Sequence, residues 1–412
     1  MNIILNPGQE AVVNAAVNWF KNSSEQVFEF DGEAGTGKSV TLNAILKALK
    51  LKEDQYMPMA YTGAAAIVMR TRGLKYAKTI HSSLYHSIEV PVYDNDNPMK
   101  QVNTEMDVKK MVSRFVPIPV EMLSSDIKLF VIDEGFMVPQ YMKKEILKYG
   151  RKVLVTGDTG QLPPVEGSPA FLMGDNVMHL TEIMRQAANN PILYLAHLAR
   201  NNQPIHCGMY GNDVLVIDRE NLTEDMILHS GPLVCGRNNT RDYFNNGIRH
   251  ALGFDSEFPQ FGERLICRQN NWNYSIDGIS LSNGLSGYCI SPFDISRFHK
   301  YKYTVDFLAD MAQCPFYNLE LNCNYLTAPN AEVRKDIKDK IKNTPAKFYA
   351  GELFEYAYAI TTHVSQGSEY PCGIVFEEHL GGGSLNHARL LYTGITRFKY
   401  KLILVKESPR FR

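Results

Sequence analysis

Apolar residues along this chain gather in short runs that end in polar turns. Val27-Phe28-Glu29-Phe30, Met57-Pro58-Met59-Ala60-Tyr61, Lys128 to Ile132 and Lys152 to Thr156 each have the length and flanks of a buried strand. Between the first two, apolar positions at Val40, Leu42, Ile45, Leu46 and Leu49 repeat at helical spacing. This alternation predicts an α/β fold on a parallel sheet, with ligands beyond the carboxyl ends of the strands. From His86 to Val120 the alternation stops in a stretch rich in Pro, Asp and Asn, which predicts an insertion. After Pro191 it resumes, with strands expected at Val214 to Ile217, Leu233 to Cys235, Gly373 to Glu377 and Lys401 to Val405. Between them, about Gly262 to Ala350, lies a segment rich in aromatics, Asn and Gly. Short runs such as Arg264-Leu265-Ile266-Cys267 and Gly287-Tyr288-Cys289-Ile290 predict a small β-rich insertion there.

Composition narrows the class. A chain of 412 residues exceeds one core, so two to four domains or subdomains are expected. With 44% hydrophobic and 21% charged residues and no apolar run of spanning length, a soluble cytoplasmic protein without a membrane partner is expected. The start lacks the basic region and apolar core of a secretory signal. Seven cysteines without a C-x-x-C pair read as reduced structural thiols, not a zinc site. A net charge of −1 argues against nonspecific coating of nucleic acid and leaves a local basic groove open.

The chemistry starts at Gly32-Glu33-Ala34-Gly35-Thr36-Gly37-Lys38-Ser39, which fits G-x-x-x-x-G-K-[ST] at every fixed position. Strand, Gly-rich turn and helix bring backbone N–H groups and a positive helix end around a polyphosphate. In that setting Lys38 reaches the β/γ-phosphates and the Ser39 hydroxyl takes a Mg²⁺ position, so ATP and Mg²⁺ are the expected cofactors. Downstream, Phe130-Val131-Ile132-Asp133-Glu134 is an apolar strand ending in two acids. Asp133 suits Mg²⁺, and Glu134 suits polarising a water for in-line attack. Val155 to Val165 follows another strand, with Gln161 a candidate γ-phosphate sensor on a loop stiffened by Pro163-Pro164. Arg185 and the distant Arg397 are candidates to neutralise charge on the phosphoryl group.

Ordered along the chain, Gln9, the Gly32–Ser39 loop, Ala60 to Ala66, Thr79-Ile80-His81-Ser82, Asp133-Glu134, Gly157 to Val165, Arg185-Gln186, Thr362-His363-Val364-Ser365-Gln366-Gly367 and Tyr392 to Arg397 resemble the motif series of superfamily 1 helicases. The resemblance is to the RecD-like, 5′-to-3′ branch that includes the phage Dda helicases. It implies Gln9 on the adenine and Gly35, Thr36, Gly37, Lys38 and Ser39 on the phosphates. It further implies Asp133 on Mg²⁺, Glu134 as base, and Gln161, Arg185 and Arg397 on the γ-phosphate, Arg397 being the finger. Thr62, Gly63, His81, Ser82, His363 and Gln366 would line the single-strand track or couple it to ATP, gripping phosphates without reading bases. Val364 stands where relatives often have Lys, Tyr61 replaces a common Pro, and Gly135-Phe136 replaces the usual small residues.

The resemblance implies two RecA-like motor domains, residues 1–190 and 191–261 with 351–412. Residues 86–120 would be an inserted pin subdomain and 262–350 an SH3-like β-barrel. Tyr93 or Phe115 would stack on the end base pair, or equally be subdomain core. The implied activity is ATP-dependent 5′-to-3′ unwinding on single-stranded, forked or tailed DNA. A single-strand-binding protein or replisome components would be partners, in the host cytoplasm for a phage protein. Two rivals stay open: a translocase that strips bound proteins, and a nucleotide-gated binding switch.

Overall fold

The computed structural model describes residues 4–93, 108–164, 167–184, 189–276, 279–299, 301–310, 312–342 and 350–407. Among them the strands form three six-stranded sheets and two two-stranded ribbons. The first sheet has the order Lys78–Thr79, Tyr56–Ala60, Leu129–Asp133, Lys152–Gly157, Val27–Gly32, Met178–Leu180, and every pairing in it is parallel. Successive residues of Leu129–Asp133 enter different cores. Leu129 and Val131 pack with Val12, Trp19, Leu42 and Ile45 of helices α1 (Pro7–Asn22) and α2 (Lys38–Leu49). Phe130 and Ile132 pack on the opposite face with Met142, Ile146 and Phe171. A strand covered on both faces needs this continuous apolar run, which is why the sequence lacks polar alternation there.

The second sheet repeats the design with Ala359–Thr361, Leu233–Cys235, Tyr370–Phe376, Phe398–Lys406 and Val214–Asp218 in parallel, closed by an antiparallel Gly208–Tyr210 edge. The expected strands in both regions are present, with bounds shifted by a few residues. An α/β fold is thus observed in both halves.

The third sheet is antiparallel in every named pairing. Its strand Lys302–Ala309 alternates strictly, with Tyr303, Val305, Phe307 and Ala309 buried, the period of a strand with one dry face. Two features go beyond the sequence reading. The sheet takes its edge strand Phe354–Tyr356 from past Ala350, paired with Arg264–Cys267. The same region also holds a helix, Ala331–Lys342, with Val333, Ile337 and Ile341 at helical spacing, where a β-rich insertion was expected. Within His86 to Val120 the chain forms an antiparallel ribbon, Tyr85–Tyr93 against Val108–Pro117. The side chains of Tyr93 and Phe115 lie outside the described residues. Among the described residues no helix is long and apolar enough to cross a membrane.

Candidate active site

The strand Val27–Gly32 turns directly into α2 through two glycines in the left-handed region, Gly35 at φ 86° and Gly37 at φ 84°. Gly37 occupies the N-cap of α2 without a side-chain cap, and the first turn has no acidic residue. The N–H groups of this helix end therefore have no side-chain acceptor of the usual kind, the condition for anion binding. Space is tight around it: a Cβ on Gly37 would lie 2.4 Å from Gln9 Nε2 and 2.7 Å from Met184 Sδ. Lys38 Nζ donates to the carbonyls of Gly32 (2.6 Å) and Glu33 (3.2 Å) and lies 3.8 Å from Asp158 Oδ2.

Gln9 is 1% exposed and serves two masters. Its Oε1 accepts from Asn6 N, completing a capping box that starts α1, and its Nε2 donates to Thr36 O at 3.0 Å. One lone pair and one N–H of the carboxamide remain for a ligand.

Asp133 and Glu134 stand at the end of Leu129–Asp133. Glu134 adopts φ 55°, left-handed backbone that a non-glycine residue holds only when its surroundings enforce it. Burial, then the Asp133 carboxylate, push its pKa up to about 7, while Arg397 and Lys38 pull the other way. Burial raises Asp133 too, against Arg72 and Lys38. These influences bring Lys38, Asp133, Glu134 and Arg397 into one electrostatic neighbourhood, though they come from distant parts of the chain. Among the described residues no cluster of three or more His, Cys, Asp or Glu side chains could hold a metal. Ser39 and Asp133 instead fit Mg²⁺ held by one carboxylate, one hydroxyl and substrate phosphates, the usual mode for that ion.

Arg397 follows the helix Gly383–Ile395 and is 4% exposed. Its Nη2 donates to Gln161 Oε1 at 3.1 Å, and its Nε and Nη1 bond the carbonyls of Thr393 and Ser368. Gln161 and Arg397, two predicted γ-phosphate contacts, are thus joined across the seam between the halves. Leu162 N donates to Thr393 Oγ1 at 3.0 Å, and Gln366 Nε2 donates to Leu162 O at 2.8 Å. Gln366 is 2% exposed, so it braces the seam and does not face an open surface. Arg185 lies outside the described residues; its neighbour Met184 donates its N–H to Gly35 O at 3.0 Å, against the loop.

The predicted strand-contact residues divide. Thr62 caps α3 (Gly63–Thr71) by accepting from Ala65 N. Gly63 is buried, and a Cβ there would lie 2.0 Å from Ser282 Oγ of the third sheet region. His81 and Ser82 occupy the short helix Ile80–Leu84, whose cap Thr79 accepts from Ser82 N. Burial lowers the His81 pKa, and its ring packs between Tyr61 and Tyr85. His363 is exposed.

Sequence reading missed a hub. Asp158 is fully buried, accepting from Arg200 Nη1 (2.8 Å), Gly160 N (2.9 Å) and the Tyr392 hydroxyl. That hydroxyl accepts in turn from Ala34 N of the phosphate loop at 2.9 Å, and Arg200 Nε lies 3.2 Å from Glu33. Asp158 and Tyr392 stood inside recognised motifs, whereas Arg200 ends an ordinary amphipathic helix and carried no signal.

Comparison with known proteins agrees with this geometry. Residues 4–217, just over half of the chain, match the AAA domain family, and residues 356–405 match the UvrD-like helicase C-terminal domain. The chain belongs to the AAA domain family, with a second match to a helicase C-terminal domain near its end. It is 27% identical over 378 residues to the ATP-dependent RecD2 DNA helicase of Deinococcus radiodurans, covering 89% of this chain and 45% of that protein. The chain therefore spans less than half of that relative's length. In fold it is similar to Bacteroides Pif1 bound to ssDNA, with TM-score 0.55 and 17% identity over 98% of this chain and 93% of that one. It is also similar to Pif1 helicase from Bacteroides in complex with ADP-AlF3 and ssDNA, with TM-score 0.53, 17% identity, and 98% and 92% coverage.

Proposed function

We propose that the protein is an ATP-dependent DNA helicase that moves 5′-to-3′ along single-stranded DNA and unwinds duplexes. The observation that carries this reading is the Gln161–Arg397 bond across the seam, beside the Lys38, Asp133 and Glu134 neighbourhood. A reaction that assembles groups from both halves links nucleotide turnover to relative movement of the halves, which stepping requires. When bound, Mg²⁺·ATP would supply the γ-phosphoryl group and a cation to neutralise charge developing on it, with Ser39 and Asp133 the residues that would hold the cation.

In this reading Gly35 to Ser39 bind the phosphates, Gln9 contacts the adenine through its remaining donor and acceptor, and Ser39 with Asp133 hold the cation. Glu134 takes the proton of the attacking water, for which a pKa near neutrality is suited. Gln161 senses or orients the γ-phosphate, and Arg185 and Arg397 neutralise charge on the transferred group. Thr62, Gly63, His81, Ser82 and His363 contact the strand. The ribbon Tyr85–Tyr93/Val108–Pro117 is the pin, and the third sheet is the SH3-like module. The reading is supported by the RecD2 relative and by Pif1 structures that hold ssDNA or ADP-AlF3.

The test compares ATP turnover with and without single-stranded DNA, and strand displacement on 5′-tailed and 3′-tailed duplexes. DNA-stimulated turnover with separation of the 5′-tailed substrate alone is expected. Stimulated turnover without separation of either duplex would replace unwinding by translocation.

A further inference from the structure

We propose that Arg72 is a positioning residue for the cation at the nucleotide site, one that competes with Mg²⁺ for Ser39; the inference rests on the ATP reading of that site. Arg72 ends α3, and its backbone is fixed twice over. Its N–H bonds the last carbonyls of the helix, and its own carbonyl accepts from Asn43 Nδ2 of α2 at 3.0 Å. From there its guanidinium reaches two partners. Nη1 donates to Ser39 Oγ at 2.7 Å, and Nη2 donates to Glu369 Oε1 of the second half. Glu369 also pairs with Lys399 Nζ at 2.6 Å. Arg72 is therefore bonded directly to one of the two groups that fit Mg²⁺.

A serine oxygen has two lone pairs, and the guanidinium bond takes one of them while placing a fixed positive charge beside the other. A divalent cation on the remaining lone pair meets that positive charge at close range, so its binding opposes the Nη1 contact. The fork geometry leaves Nη2 on Glu369, so the exchange frees the guanidinium from Ser39 while it stays tied to the second half. The opposite end of α3 carries Thr62 and Gly63, both proposed strand contacts. There a Cβ on Gly367 would lie 2.5 Å from Thr62 Oγ1. One short helix thereby spans from the metal-binding hydroxyl to the strand surface.

The experiment titrates Mg²⁺ into wild-type protein, Arg72→Ala and Arg72→Lys with a fluorescent ADP analogue, reading the Mg²⁺ concentration for half-maximal binding, with melting temperature as the folding control. For Arg72→Ala the midpoint should fall about two- to fivefold, the scale of a partly exposed ion pair. In EDTA the same variant should bind the analogue no better than wild type, because a cation near the phosphates is lost. Arg72→Lys, which keeps the charge but not the fork, should fall between. Binding with an unchanged or raised midpoint in both variants overturns this inference alone. Wild-type protein that binds no Mg²⁺·ADP analogue overturns the ATP reading and this inference with it.

Discussion

Glu134 combines a left-handed backbone with burial and a like-charged neighbour, and the last two oppose its ionised form. Its pKa lies above the ordinary carboxylate value, so the folded state prefers the proton. The stability contributed by that preference is complete below the unfolded pKa of about 4.5 and is lost as pH rises through about 7. Glu134→Gln, which removes the titration but keeps the shape, should therefore be more stable than wild type at pH 8. The gain should be on the order of 2 kcal/mol, shrinking toward zero near pH 4.5. Thermal melts across that range check the sign; equal melting curves at both ends would mean Glu134 is solvated. The same variant should bind nucleotide yet lose about 10²–10⁴-fold in turnover, and the wild-type rate should rise with pH through about 7. Arg397→Lys keeps the charge but loses the geometry that reaches Gln161, Thr393 and Ser368 together. It should retain ATP and single-strand binding while turnover falls about 10³-fold or more. Comparing nucleotide affinity, melting temperature and kcat separates this from a structural arginine, whose loss would lower all three.

At the scale of elements, α3 shows how local sequence and tertiary contact divide the work. The Thr62 cap and the buried Ala65, Ala66, Ile67 and Met69 are local features of a helix that the sequence reading entered only as part of a motif. That Gly63 had to be glycine was legible only as a motif match. Its reason is a contact with Ser282, 219 positions away (282 − 63), just past the ribbon strand Ile279–Leu281. Gly63→Ala should cost about 1 kcal/mol or more by crowding that contact, and adding Ser282→Gly should recover most of the loss. Urea unfolding of both singles and the double measures it; strictly additive effects would show that the two residues do not touch. The helix Ala331–Lys342 illustrates the converse. Charged residues dominate it, but Val333, Ile337 and Ile341 recur every four positions, a helical period that the β-rich reading of the surrounding stretch passed over.

At the scale of the molecule, the seam between the halves depends on Asp158. Two groups of the second half, Arg200 and Tyr392, converge on this buried carboxylate, and Tyr392 also meets Ala34 of the phosphate loop. Asp158→Ala leaves the Tyr392 hydroxyl and the Arg200 guanidinium without their shared acceptor. A loss of about 3 kcal/mol is expected, the scale of breaking a buried ion pair. It should appear in calorimetry as the halves melting separately. A single unshifted transition would show that the seam is held elsewhere.

The strands, the Gly32–Ser39 loop, the acid pair and the identity of the motif residues follow from the sequence, because apolar runs, glycine spacing and turn chemistry are local properties. Pairings such as Arg397 with Gln161, Tyr392 with Asp158 and Arg72 with Ser39 and Glu369 were decided only by the tertiary structure. Each joins groups separated by tens to hundreds of residues. A hydrogen bond depends on distance and angle, and no periodicity along a chain encodes where two sheets will meet.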